Sequence, residues 1–344
     1  MIKMLTIFTG ARWGELLFFL DELNILVAAK ATYFKIMNLA TGEYWDFKIR
    51  YTDHFIACPK HEAIFFISNR LHNKNKIYIY IMDLQTTEYR SAIIPARNGF
   101  GFMSAFLSEN GNSVNIIHSS GDVFVVDIKT FEMRQVMALH SKIDRSYWCY
   151  TMYGALYLPF RWENKGGNVY EYVVFNGKES ARLQLDVTNQ TFSFLPISVF
   201  KESQKGTIIQ GWLYWKKIDI WMYYTNIFPE DTKNIKTYKV IFEFQKSDKK
   251  LCAFEMVCSR ENFFKNPKTL GENHAVVFNG GCLYLFDLEK QSFSKLKFED
   301  KVIMDVFVYE KIKSVLPVFL EGRTKRFYII DDFELMAEQP FQIY

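Results

Sequence analysis

Paired cysteines are missing from this chain. Its five cysteines, Cys58, Cys149, Cys252, Cys258 and Cys282, are odd in number and scattered, with no Cys-x-x-Cys spacing. That argues against a disulfide framework and for a reducing compartment. Three of them lie in apolar runs, where a thiol behaves as a small buried hydrophobe. A membrane-length apolar run is missing too, since none approaches the roughly 20 residues that span a bilayer. The N-terminal stretch has the outline of a signal peptide, but Arg12 and Glu15 break it and no small-residue cleavage site follows. A cytoplasmic protein without a membrane span is the expectation. A dominant charge is also absent: 42 Lys+Arg against 38 Asp+Glu leave a net charge of +4. The clusters Lys246, Lys249, Lys250 and Arg323, Lys325, Arg326 sit beside turn signals and read as solvated hairpin tips. Nucleic acid therefore ranks last among the expected partners.

Catalytic and cofactor signatures are equally scarce. The chain contains no G-x-S-x-G elbow, and the nearest serine, Ser104, lacks the trailing glycine. It has no phosphate-binding P-loop and no G-x-G-x-x-G. The histidines His54, His61, His72, His118, His140 and His274 fall in no metal-ligand spacing, and no calcium loop occurs. His54 and His61 flank one predicted strand and are the pair that folding could bring together. From these absences we expect no catalytic residue, no metal and no cofactor.

What is present is aromatic and repetitive. Phe (33) and Tyr (20) are abundant, and aromatics suit the half-buried surface of a sheet. One phrase recurs: an alternating apolar run, an Asp or its stand-in, a turn, then a second alternating run. It occurs at Asn38, Asp83, Asp127, Asp287 and Asp331, and the steps from Asn38 to Asp83 to Asp127 are 45 and 44 residues. Asp186 and Gln245 are candidate anchors for two enlarged units between Asp127 and Asp287. Four strands per unit of this length is the signature of a propeller blade. Gly14 to Leu23 is the one tempting helix, and it reads equally well as a strand and turn. The expected architecture is all-β: one domain over 1–344, a seven-bladed β-propeller of four-stranded antiparallel blades, with six blades as the alternative. The approximate blades are 9–50, 51–96, 97–142, 143–200, 201–259, 260–300 and 301–344, with 1–8 as a closing strand beside Phe341 to Tyr344. The anchoring carboxylates read as turn acceptors, because Asn38 fills the same place without a charge.

The phrases IMDLQT, VVDIKT and LFDLEK resemble the third-strand signature of WD40, YVTN and kelch-like propellers. GALYL at Gly154 and GWLYW at Gly211 resemble blades of the F-box-associated kind. The resemblance implies a propeller scaffold and no particular activity.

Irregularity concentrates in the two enlarged units, where Trp148, Trp162, Trp212, Trp215 and Trp221 crowd together with many tyrosines. The segments Asn176 to Arg182 and Asn226 to Asn234 lengthen the same units, and insertions on repeat scaffolds often carry the working surface. The expected binding residues are Trp162, Trp212, Trp215, Trp221, Tyr147 and Trp148, since Trp and Tyr are enriched in binding hot spots. The leading functional expectation is a non-enzymatic module that binds a protein or peptide near blades 4 and 5. A glycan- or small-molecule-binding propeller with an aromatic platform is the first alternative. A propeller enzyme of lactonase, lyase or hydrolase type, with an axial site, is the second.

Overall fold

The computed structural model describes residues 2–3, 16–49, 52–68, 76–95, 103–150, 156–157, 162–175, 180–197, 211–216, 218–227, 237–246, 249–259, 265–298, 302–310, 313–321, 324–327, 329–330 and 337–340. The anchor Asp331, His72 and the tail 341–344 lie outside the described residues. Strands dominate, and short 3-10 turns are the helical elements among the described residues. The stretch tempting as a helix is the strand Leu16–Leu20 followed by the 3-10 turn Asp21–Leu23.

The backbone contacts fall into two compact units, 14–195 and the combination of 1–13 with 196–344. The first unit holds four blades, each an antiparallel meander of four consecutive strands. They cover 16–47, 52–95, 103–138 and 163–196, with a two-stranded hairpin at Cys149–Tyr150 and Leu156–Tyr157. The second unit holds two more four-stranded meanders, 211–259 and 265–297. These are the blades of an all-β propeller fold.

The seven-blade expectation is corrected to six, the alternative. The segment expected as a seventh blade does not make a four-strand meander of its own. Its strands Ile303–Tyr309 and Ser314–Glu321 enter a composite sheet with the split pieces Thr324–Phe327 and Ile329–Ile330. The N-terminal strand Ile2–Lys3 completes that sheet by pairing with Ile329 and Ile330. The strand Ala337–Pro340 leaves it and joins the outer edge of the sixth blade. The period read from the anchors is right, but local sequence does not reveal from where each sheet draws its last strand.

Side-chain alternation explains how blades stack. In the second blade, Ala63–Ser68 is buried along its whole length. Ile64 and Phe66 pack into a core with Val27, Phe34 and Ile36 of the first blade, whereas Ala63, Phe65 and Ile67 pack with Val114, Ile116 and Val126 of the third. In the sixth blade Ala275 and Val277 meet Trp215, Phe242 and Phe244 of the fifth, while Val276 and Phe278 meet Ile303, Val306 and Val315 of the composite sheet. A strand with both faces covered needs apolar residues at every position, and a period of two sends them to opposite neighbours.

The recurrent anchor fixes one turn per blade. Asn38 Oδ1 accepts the N–H groups of Ala40 (2.9 Å) and Thr41 (3.3 Å), and Asp83 Oδ1 those of Gln85 (2.8 Å) and Thr86 (2.9 Å). Asp127, Asp186 and Asp287 accept from Thr130, Asn189 and Lys290 at 2.8, 2.9 and 3.0 Å. Four residues beyond each anchor the chain turns left-handed, at Gly42, Thr87, Phe131, Gln190 and Gln291 with φ between 50° and 75°. Only the first is glycine. β-Branched Thr87 and bulky Phe131 adopt this backbone at a cost, so the side-chain acceptor must hold the turn where glycine does not. Gln245 departs from the pattern: it lies within the strand Thr237–Lys246, buried.

Deleting residues 1–8 removes the strand that completes the composite sheet. Two residue pairs are lost, so the expected cost is about 1–3 kcal/mol at a net 0.5–1.5 kcal/mol per hydrogen bond. Thermal denaturation checks this, and an unchanged melting temperature would refute the role given to Ile2–Lys3.

Candidate functional site

The repeated carboxylates are committed to their turns. The backbone N–H groups of Thr86 and Gln85 hold Asp83 below the ordinary carboxylate range, and the N–H of Thr130 does the same for Asp127. A carboxylate stabilised in its charged form by local donors is a poor proton acceptor near neutrality.

The aromatic residues singled out from the sequence separate by burial. Trp148 and Trp162 are buried in the first unit, and Trp215 and Trp221 are buried in the second. Trp148 donates its ring N–H to the carbonyl of Ile143 at 3.4 Å, and Trp162 packs on Tyr172 with ring centres 5.8 Å apart. Trp215 donates to the carbonyl of Gly271 at 3.3 Å, and Trp221 stacks on Tyr223 at 5.7 Å. Tyr147 and Trp212 are the half-buried members. Tyr147 stacks on Phe194 at 4.8 Å, and Phe194 is itself 37% exposed.

A buried polar network in the third blade was not legible as a unit in the sequence. His118 ends one strand, Ser120 and Gly121 make the turn, and Asp122 begins the next strand. Ser120 Oγ donates to Asp122 Oδ2 at 2.9 Å, and Gln135 Nε2 donates to Asp122 Oδ1 at 2.8 Å. The Ser120 N–H approaches His118 Nδ1 at 3.0 Å, Ser120 Oγ contacts the same nitrogen, and Nε2 is buried without a hydrogen-bond partner. Gly121 is required here: at φ 83° a Cβ would lie 2.9 Å from the His140 nitrogen and 3.0 Å from the Trp148 ring. Ser120 Oγ contacts both Asp122 Oδ2 and His118 Nδ1, so the serine stands between carboxylate and imidazole, whereas in a hydrolase triad the histidine stands in the middle. With His118, Ser120 and Asp122 at 1%, 2% and 3% exposure, the cluster is a structural lock.

An open cleft in the first unit is lined by several ionisable groups. Its cavity is about 470 Å³, lined by His61, Ala63, Ile81, Asp83, Thr86, Glu88, Tyr89, Arg90, Ile128 and Lys129. The turn following the anchor of the second blade forms one wall, and the equivalent turn of the third blade forms another. Arg90 donates to the carbonyls of Lys129 and Ile128, both at 2.8 Å, and its guanidinium lies 5.5 Å from the Phe131 ring centre. The guanidinium is thereby held in place, and no carboxylate pairs with it among the described residues. Lys129 and Glu88 are likewise unpaired among them. His61 closes the 3-10 turn Pro59–His61, and its Nε2 is buried without a hydrogen-bond partner. Such an orphaned nitrogen calls for a further group to satisfy it. Tyr89, 50% exposed, adds a phenol at the rim.

His61 was weighed from the sequence only in company with His54. The structure puts His54 on the first strand of the second blade, where burial lowers its pKa. Arg90 and Lys129 were missed because they lie in different repeats, and only blade stacking unites them. Among the described residues no three His, Cys, Asp or Glu side chains are grouped to hold a metal ion.

Fold and cleft together define an all-β propeller protein whose cleft between turns is lined by ionisable groups. The sequence matches no family model and no curated protein sequence. The fold bears out the generic propeller resemblance, and no match confirms the WD40 likeness in particular. Among solved structures the chain is similar to an oligogalacturonate lyase in complex with manganese, with a TM-score of 0.62 at 10% identity, over 96% of this chain and 95% of that one. At that identity the likeness shows the fold. The leading functional expectation of a non-enzymatic protein- or peptide-binding module is corrected on this finding, since the protein that shares the fold is named as an enzyme. Among the described residues no helix is long and apolar enough to cross a membrane.

Burial holds the His118 pKa down to about 4, against a smaller opposing pull from Asp122. A base whose folded pKa lies below its unfolded value contributes stability that is complete above about pH 6.5 and falls as pH drops towards 4. The expected loss over that window is about 3 kcal/mol. Denaturant unfolding against pH checks it, and His118→Gln should flatten the slope between pH 6.5 and 4. An equal slope in the variant would contradict the assignment.

Proposed function

We propose that the chain is a propeller enzyme of the lyase type, acting on an acidic oligosaccharide bound in the cleft between the second- and third-blade turns. The observation that carries this reading is the pair of cations, Arg90 and Lys129, unpaired among the described residues and lining one cleft. It is joined to a fold like that of an oligogalacturonate lyase along nearly the whole chain. Cations without a carboxylate partner beside a cavity favour an anion, and a guanidinium suits the planar carboxylate of a uronic acid.

Elimination from a uronate requires three things. The carboxylate must be neutralised so that the proton beside it becomes acidic, a base must take that proton, and the departing oxygen must receive one. Arg90 and Lys129 fill the first role. His61 of the lining is assigned the second; its Nε2 is buried, so the ring must turn towards the cleft to reach that proton. Tyr89 at the rim is placed to supply the third. The carbon–oxygen bond to the leaving sugar breaks as the new double bond forms, so protons and electrons balance without an outside reactant. Glu88 and Asp83 in the same lining limit how many negative charges the cleft accepts, favouring a short oligomer over a densely charged polymer.

Incubation with galacturonate oligomers should generate the conjugated unsaturated uronate, followed by its ultraviolet absorbance. Neutral oligosaccharides should yield none. His61→Gln should lower kcat/KM by about 100-fold or more, the usual contribution of a positioned acid–base group. Absence of turnover on every uronate oligomer by a folded protein would overturn the reading. Turnover unaltered in His61→Gln would place the chemistry outside this cleft.

A further inference from the structure

One blade differs from the other five in carrying a fifth strand. In the blades at 16–47, 52–95, 103–138, 163–196 and 211–259 the fourth strand is outermost among the described residues. In the sixth blade the fourth strand, Ser292–Lys297, is covered by Ala337–Pro340. The pairing is antiparallel, with Ser292 opposite Pro340, Phe293 opposite Gln339, Ser294 opposite Glu338 and Lys295 opposite Ala337. The covering strand is foreign to this sheet. The chain immediately before it, at Ile329–Ile330, belongs to the composite sheet.

We infer that the outer edge of Ser292–Lys297 is a strand-accepting edge, and that the C-terminal strand seated on it is exchangeable with that of a second copy of this chain. Four observations lead there. The contact is short, four residue pairs long, and ends on Pro340, which has no N–H to extend the ladder. Among the described residues no strand pairs with the other edge of Ala337–Pro340, so its release breaks no further ladder. The acceptor keeps its pairing with Cys282–Asp287, and the blade its four strands, when the tail departs, so it remains a formed edge. Ser292, Phe293 and Ser294 are buried on the blade, so the acceptor is anchored by packing as well as by the ladder. An edge that pairs with an extended segment through main-chain hydrogen bonds accepts the same segment from another molecule, and exchange of identical elements is a low-cost route to dimers. The intact chain supplies its own strand at high effective concentration, which keeps the edge occupied until that strand is removed or outcompeted.

The test uses a labelled synthetic peptide of residues 337–344, the segment a second copy would donate. It is titrated into the intact chain and into a chain ending at Met336. The expected result is saturable binding to the shortened chain, and binding to the intact chain weaker by at least about tenfold, because the cis strand competes. No binding to a shortened chain whose melting temperature shows intact blades would overturn the inference, as would equal binding to both. Should the shortened chain fail to fold, amide exchange on the intact chain decides. Amides of Ser292–Lys295 should exchange faster than those of Cys282–Asp287 and slow on addition of peptide. Equal protection that the peptide leaves unchanged would overturn it.

Discussion

Everything in this structure depends on strands buried on both faces. A single four-stranded meander has two apolar faces and cannot cover either by itself, so each blade is stable only when another sheet lies against it. Ala63–Ser68 shows the constraint in one strand: Ile64 and Phe66 turn to one neighbour, Phe65 and Ile67 to the other. A one-residue slip would exchange these sets and mismatch both cores at once. Register is therefore specified strongly, and the abundance of Phe and Tyr follows from the volume each gap must fill.

That constraint also explains where variation is tolerated. The middle strands are locked, whereas the turns between third and fourth strands need only an acceptor at the anchor. Asn38 does as well as Asp83 or Asp127, and the left-handed position four residues on is occupied by glycine, threonine, phenylalanine or glutamine. With geometry set by the anchor, the remaining turn positions are free to carry chemistry. Arg90 and Lys129 stand within or just beyond two such turns, and the cleft exists because stacking brings the turns side by side.

Legibility followed the same division. The blade period could be read from Asn38, Asp83 and Asp127, because an alternating run followed by an Asx acceptor is a local signal. The blade count could not, since Ile2–Lys3 pairs with residues more than three hundred positions away and Ala337–Pro340 attaches to the preceding blade. The site was harder still. Tryptophans draw the eye in a sequence, yet a large aromatic is what a gap between stacked sheets requires, and Trp215 and Trp221 lie at 1% and 0% exposure. Arg90 and Lys129 look like ordinary surface cations until the fold joins them. His118 carried a faint signal, polar residues at 118, 120 and 122 closing an apolar hairpin, and it marks a lock and not a reactive centre.

The proposed activity depends on the cleft selecting a negatively charged sugar by the charge of Arg90 and Lys129. Calorimetric titration of a short acidic oligosaccharide against its neutral counterpart, at low and raised salt, addresses that selection before any chemistry occurs. Binding of the acidic form alone, weakened by salt and weakened further in Lys129→Gln, is the predicted result. Equal binding of the neutral oligosaccharide, or acidic binding indifferent to both salt and Lys129, would contradict it.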